Sequence, residues 1–204
     1  MDVVSLAWRT ELALLAASGS IVESHPTFVV VRTASAPQRR RGNFLLLRRR
    51  PLGRDVDGLL AAFERHLPGV PHITFGIDDP EGTEDDLRPL RSRGFTTSAA
   101  LSLSASLPLV RPITARRPAV RIAPLVSDAD WEQHVSLSYG AGRPDSVYLA
   151  FLRSRATVER EAIPHTGLWL GAFDDDGVLV AALGARCTGD GLARVLEVPT
   201  RGRW

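Results

Sequence analysis

The chain has 204 residues, 44% hydrophobic and 24% charged, with a formal net charge of +2. That is ordinary globular composition, enough for one large domain or two small ones, and too little charge to argue by itself for a polyanionic partner. No lysine is present, which excludes Schiff-base chemistry, and the single cysteine, Cys187, excludes an intrachain disulfide framework and suits a reducing compartment. Arg9 and Glu11 interrupt the first apolar run, so the N-terminus does not read as an export signal. No stretch approaches the roughly 20 apolar residues of a membrane span, and the expectation is a cytoplasmic protein without a membrane partner.

Leu6 to Ala17 has apolar residues at helical spacing and ends at Ser18-Gly19-Ser20. Thr27 to Thr33 and Asn43 to Arg48 are strand-like, joined by a loop containing Pro37 and Gly42. Asp55 to Leu67 predicts a helix with Leu59, Leu60, Phe63 and Leu67 on one face, stopped by Pro68-Gly69. His72 to Ile77 predicts a short strand. Thr83 to Arg93 predicts a helix opened by a Thr83–Asp86 capping box, and Phe95 to Ser104 a further strand.

Residues 107–119, with three prolines and three arginines, predict an extended linker between an N-terminal unit at 1–106 and a C-terminal one at 120–204. Val120 to Leu125 reads as a strand, Asp128 to Ser138 as a helix with Ser127 as N-cap, and Asp145 to Glu161 as a helix stopped by Pro164. Leu168 to Phe173, Val178 to Ala185 and Leu192 to Val198 are apolar runs separated by Asp174-Asp175-Asp176-Gly177 and Thr188-Gly189-Asp190-Gly191. Asp-Gly between apolar runs is a hairpin signal, because glycine reaches positive φ without steric cost. The expected class is α/β or α+β, with a largely antiparallel sheet flanked by helices.

Two stretches carry a resemblance. A strand ending Arg121-x-x-Pro124-Leu125 followed by Asp128-x-Asp130-Trp131, and the terminal meander ending Val198-Pro199-Thr200-Arg201-Gly202-Arg203, resemble the first half of the GCN5-related N-acetyltransferase fold. The resemblance implies direct transfer of an acetyl group from acetyl-coenzyme A to an amine, in a small molecule or peptide, without a metal. It also implies tandem acetyltransferase-like units as one alternative, with residues 1–106 as the degenerate one. In the family an Arg/Gln-x-x-Gly-x-Gly/Ala loop after this strand holds the coenzyme pyrophosphate on backbone N–H groups. The chain stops at Trp204 before that signature is complete, so this product is expected to bind the coenzyme weakly or not at all. Non-catalytic binding or regulation on the same fold is the competing expectation.

Candidate residues follow from the resemblance. Glu197, alternating with Val195, is the candidate proton acceptor; the alternative is an exposed strand end or a pair with Arg194 or Arg121. The main chain at Val198 is the candidate oxyanion donor, and Pro199 removes the next N–H. Thr200, Arg201, Gly202 and Arg203 are candidates for coenzyme contact, with a plain tail as the alternative. Tyr139 is the candidate general acid, although its place before Gly140 suits a loop. His134 and His165 read as solvated or capping, and Cys187 as a small packed residue. Asp174 to Asp176 reads as a turn and not a calcium loop. Arg39 to Arg41 and Arg48 to Arg50 raise nucleic-acid binding as a further alternative, against which stands the lack of interleaved aromatics. An unpaired edge on Leu192 to Val198 predicts a homodimer through that edge or cover from the N-terminal half.

Overall fold

The computed structural model describes residues 3–100, 102–106, 120–140, 146–189, 191–196 and 198–201. The expected linker at 107–119 lies outside them, as do Glu197, Gly202 and Arg203. The chain divides into two compact units, Met1–Leu107 and Pro108–Trp204. Both mix helices with a four-stranded, mostly antiparallel sheet, an α+β architecture. No helix among the described residues is long and apolar enough to cross a membrane.

The first unit opens with α1 (Leu6–Ala17). The Ser5 hydroxyl accepts from the Trp8 N–H, and the buried Asp78 carboxylate accepts from the N–H groups of Val4 and Ser5 at 2.6 and 3.0 Å. The sheet runs in the order β1 (Ile21–Ser24), β2 (Phe28–Arg32), β3 (Phe44–Leu47), β4 (Phe75–Ile77). The first three strands are antiparallel; β4 joins β3 in parallel after α2 (Val56–His66), the crossover that a parallel pair requires. Phe-Val-Val-Val and Phe-Leu-Leu-Leu are unbroken apolar runs because both faces are buried. Leu12 and Leu15 of α1 pack on Val29, Val31 and Leu46. Phe63 of α2 and Leu67 just beyond it pack on Val30, Leu45 and Leu47 from the other side.

Two sequence expectations fail here and one strand goes unread, each for a physical reason. β1 carries too few apolar residues to register as a strand; it forms because Val22 pairs with Val31 at the sheet edge. Thr83 to Arg93 is a 3-10 turn (Glu84–Leu87) followed by a one-turn α3 (Arg88–Arg91). The Thr83–Asp86 capping box does form, but Pro89 has no N–H to give to the Asp85 carbonyl, so no α-helix runs through. Among the described residues of 95–104 there is no strand. Phe95 rests on Phe75 at 5.5 Å, whereas Leu103 is 89% exposed and the small residues between offer little to bury.

The loop from β2 to β3 is tied by one side chain. Asn43 is 1% exposed; its carbonyl accepts from the Thr33 N–H, and its amide donates to the carbonyls of Ala36 and Arg39. Asn43→Ala leaves the Thr33 N–H buried without that acceptor and is expected to cost about 2–3 kcal/mol. A urea titration followed by circular dichroism reads it; a change under about 0.5 kcal/mol contradicts it.

In the second unit the sheet runs β5 (Arg121–Pro124), β6 (Gly167–Phe173), β7 (Leu179–Gly189), β8 (Leu192–Val195), antiparallel throughout. The last three strands are the meander that the Asp-Gly turns foretell. Asp174 accepts from the N–H groups of Asp176 and Val178, and Gly177 turns at φ +76°. Helix α4 (Asp128–Tyr139) is capped by Ser127, whose hydroxyl accepts from the Asp130 N–H. Helix α5 runs Ser146–Thr166, through Pro164, which was expected to stop it. In the final turn a proline forfeits one helical bond, and β6 follows without a loop. One core joins Trp131, Val135, Leu152 and Ala156 of the helices to Trp169, Phe173, Leu179 and Ala182 of the sheet. Trp169 stands opposite Gly184, where a Cβ would meet the indole at 2.4 Å.

Candidate functional site

The sequence-predicted site is the end of β8 and the segment after it. Ala185 faces Val195, and Ala181 faces Thr200. Four residue steps on β7 thus oppose five on its neighbour, so one extra residue is inserted between Leu196 and Pro199. That is a β-bulge. Below it the Leu196 N–H donates to the Gly184 carbonyl at 2.8 Å. Above it the Pro199 carbonyl accepts from the Ala182 N–H at 3.1 Å, and the Arg201 N–H donates to the Val180 carbonyl at 2.9 Å. Pro199 joins the ladder as an acceptor because it has no proton to give.

Val198 lies on this bulge and is 57% exposed. Among the described residues its N–H has no acceptor. A main-chain donor left without a partner at a bulge can hold a carbonyl oxygen or an oxyanion. Thr200 and Arg201 are exposed; the Arg201 N–H is committed to β7, and Thr200 faces Ala181 across a bridge made by its two neighbours. Tyr139 is the last residue of α4 and not part of a loop; Gly140 caps that helix at φ +71°. Tyr139 and Leu196 pack against the same apolar core, Tyr139 from the helix side and Leu196 from the sheet.

The scan against protein-family models finds no match, and the search of curated proteins finds none either. The chain is similar in fold to the crystal structure of a functionally unknown conserved protein from Staphylococcus epidermidis ATCC 12228. The TM-score is 0.60 at 12% identity, over 87% of this chain and 69% of that one. At that identity the likeness concerns the fold alone.

Elsewhere the structure corrects several residue readings. His134 is not solvated; it is 1% exposed, with ring centroids 4.4 Å from Trp169 and 5.6 Å from Trp131. Among the described residues its Nδ1 has no hydrogen-bond partner, and its Nε2 is 3.9 Å from a Glu159 carboxylate oxygen. Burial, with the nearby Arg155 charge, pushes its pKa down to about 4. A signal was present in the sequence: His134 follows Trp131 by three residues and precedes Val135 on the buried stripe. Cys187 is exposed and not packed. His165 is exposed, as expected.

The second arginine cluster is engaged within the fold. Arg48 donates to the Ser24 hydroxyl and the His25 carbonyl, and Arg50 pairs with Asp79 and Asp86. Hydrogen bonds from Thr83, and then from Arg50, hold the Asp86 carboxyl down to about 2. These pairs leave Arg48 and Arg50 poor contacts for phosphates. A groove of about 300 Å³ runs between α4 and α5 over Trp131, Val135 and Ala156. Arg153–Glu132 and Arg160–Asp128 pairs stand along it, so its charges are balanced. It is not lined by any residue of 198–201.

Proposed function

We propose that the second unit is an acetyltransferase-like unit that uses acetyl-coenzyme A to acylate an amine. The observation that carries this reading is the bulge at Val198, an exposed residue whose N–H has no acceptor among the described residues. It falls at the position where the resemblance expects a main-chain oxyanion donor. The order of strand, two helices and an antiparallel meander supports it. Both units also share a helix leading into a three-stranded antiparallel meander, α1–β1–β2–β3 and α5–β6–β7–β8, which supports a tandem origin.

Acetyl-coenzyme A would supply the acyl carbon, activated as a thioester. The Val198 N–H would hold the carbonyl oxygen as negative charge grows on it. Glu197 would accept the proton of the attacking amine, directly or through water, and Tyr139 would protonate the departing thiolate. Thr200 to Arg203 would contact the coenzyme. The missing donor of Pro199 fits the non-catalytic alternative, since it weakens the main-chain ladder available to the pantetheine arm.

Calorimetry with acetyl-coenzyme A tests the reading on this chain and on a product of the same reading frame that continues past Trp204. The longer product is expected to bind. Val198→Pro is expected to lower its turnover by about 10²–10³-fold with little change in binding. Absence of binding to the longer product removes the proposal. Binding without acetyl transfer to a panel of small amines selects the non-catalytic module.

A further inference from the structure

The two arginine clusters of the first unit lie at opposite ends of its sheet. β3 and β4 run parallel and leave the sheet at one end, where Arg50 is held by Asp79 and Asp86. The loop from β2 to β3, with Arg39, Arg40 and Arg41, closes the other end. Three stretches of chain meet there. The Ser20 and Thr33 hydroxyls lie 2.7 Å apart and tie the turn after α1 to the loop. The Asn43 carbonyl lies 3.3 Å from His72 Nε2, and the Leu45 N–H donates to the Thr74 carbonyl, which ties in the approach to β4. Residues 18–20, 32–43 and 72–74 together carry four arginines, one histidine and no carboxylate. Arg32, Arg40 and Arg41 are exposed, and none of their side chains makes a hydrogen bond or an ion pair among the described residues.

The loop is wound tightly and fixed from beneath. The N–H groups of Ala36, Arg39 and Gly42 donate in turn to the carbonyls of Thr33, Ala36 and Arg39, each at 3.0 Å. Under these turns the buried Asn43 bonds to Thr33, Ala36 and Arg39, and the Thr33 hydroxyl donates to the Gly42 carbonyl at 2.9 Å. A backbone held in this way loses little freedom when a ligand arrives, and only the side chains need ordering. Guanidinium groups with no carboxylate opposite are heavily penalised on burial, so the loop stays against water or meets an anion. The composition narrows the anion. Phe44, the aromatic residue next to the loop, is 3% exposed and packs on Trp8, so it offers no ring to an unpaired base. Residues 32–43 carry no large apolar side chain to enter a lipid surface. Phosphates in a duplex ask for neither.

We infer that this loop is a contact for the phosphate backbone of duplex nucleic acid, made by the guanidinium groups of Arg32, Arg40 and Arg41 without regard to base sequence. Each guanidinium donates to phosphate oxygens, and such contacts position a protein on a duplex without reading it. Neutralising three phosphates gives log K a slope of about −2.7 against log salt, so the affinity falls about sixfold for each doubling of salt. Three contacts are few, and the Kd is on the order of 10⁻⁵ M at low salt. The inference does not rest on acetyl transfer.

Fluorescence anisotropy of a labelled DNA duplex of about 20 base pairs, titrated with the full chain up to about 300 μM, tests it at about 50 and 100 mM salt. Binding is expected at the lower salt, about sixfold weaker at the higher, and within about twofold for a second duplex of unrelated sequence. Arg40→Glu together with Arg41→Glu is expected to weaken binding at least about 10-fold. Arg49→Glu together with Arg54→Glu makes the same change in net charge at exposed positions outside the loop, and is expected to weaken it less than about threefold. If the loop variant loses its circular dichroism, Arg40→Gln together with Arg41→Gln supplies the reading, with an expected loss of at least about fivefold. No binding at the lower salt overturns the inference, as do equal losses from the two glutamate pairs. Capture by vesicles of equimolar phosphatidylcholine and phosphatidylserine in place of the duplex overturns it as well.

Discussion

Gly184→Val is expected to unfold the C-terminal unit under conditions where the parent is folded. A Cβ at Gly184 falls 2.4, 2.5 and 2.8 Å from three atoms of the Trp169 indole, closer than carbon atoms approach. The indole has no room to retreat, being 1% exposed and held between Trp131 and His134. Overpacking by one methyl costs typically ~1–3 kcal/mol, and valine adds two more carbons. The second unit spans 97 residues, Pro108–Trp204, for which the whole stability is on the order of 5–10 kcal/mol. Gly184→Ala gives the quantitative test. Alone it is expected to cost about 2–3 kcal/mol in urea denaturation. Combined with Trp169→Leu, which removes the clashing ring, it is expected to cost at least 1 kcal/mol less than the two single changes added together. Strict additivity would show that the close approach is not what requires glycine.

The second large effect is on pH. His134 is held neutral in the folded chain with its pKa pushed down to about 4, by burial first and by the Arg155 charge second. In the unfolded chain it titrates near the ordinary value of about 6.5. Above about pH 6.5 neither state binds the proton, and the full stability is present. As pH falls below 6.5 the unfolded chain gains a proton that the folded chain refuses, so stability is lost until the folded state also protonates near pH 4. The total loss is about 3 kcal/mol, with roughly half or more of it reached by pH 5. Glu159 faces the same imidazole at 3.9 Å and is itself paired with Arg155, which blunts its pull on the proton. Tryptophan fluorescence suits the measurement, because Trp131 and Trp169 flank His134. The stability of the parent in urea titration is expected to fall between pH 7.5 and 5, and that of His134→Gln to fall by at least 1 kcal/mol less. Equal slopes would show that His134 takes up its proton without opening the core.

Most of the C-terminal fold was legible in the sequence. Asp174 to Gly177 supplies both the acceptor for two N–H groups and the positive-φ residue of its own turn. Ser127 caps α4 with an oxygen three residues from the N–H it accepts. Such signals are complete within about four residues, so no distant partner is needed to read them. The N-terminal half was less legible at its margins. Whether Ile21–Ser24 becomes a strand depends on Val31, nine residues from its partner Val22, and whether Phe95 begins one depends on Phe75.

The candidate site divides in the same way. Val198-Pro199-Thr200 was legible as the end of a strand, and Pro199 as a missing donor. That the strand bulges between Leu196 and Pro199 was not, because a bulge is a mismatch of register between two strands and neither sequence alone carries it.

The sequence by itself determined the local vocabulary of this protein: its caps, its Asp-Gly turns, the periodicity of its helices and the apolar runs of its first sheet. These follow from contacts between neighbours along the chain. Tertiary structure decided which groups are left without partners among the described residues: the Nδ1 of His134 and the N–H of Val198. Each depends on what packs from far away in sequence, since burial and pairing are properties of the assembled fold and not of any window within it.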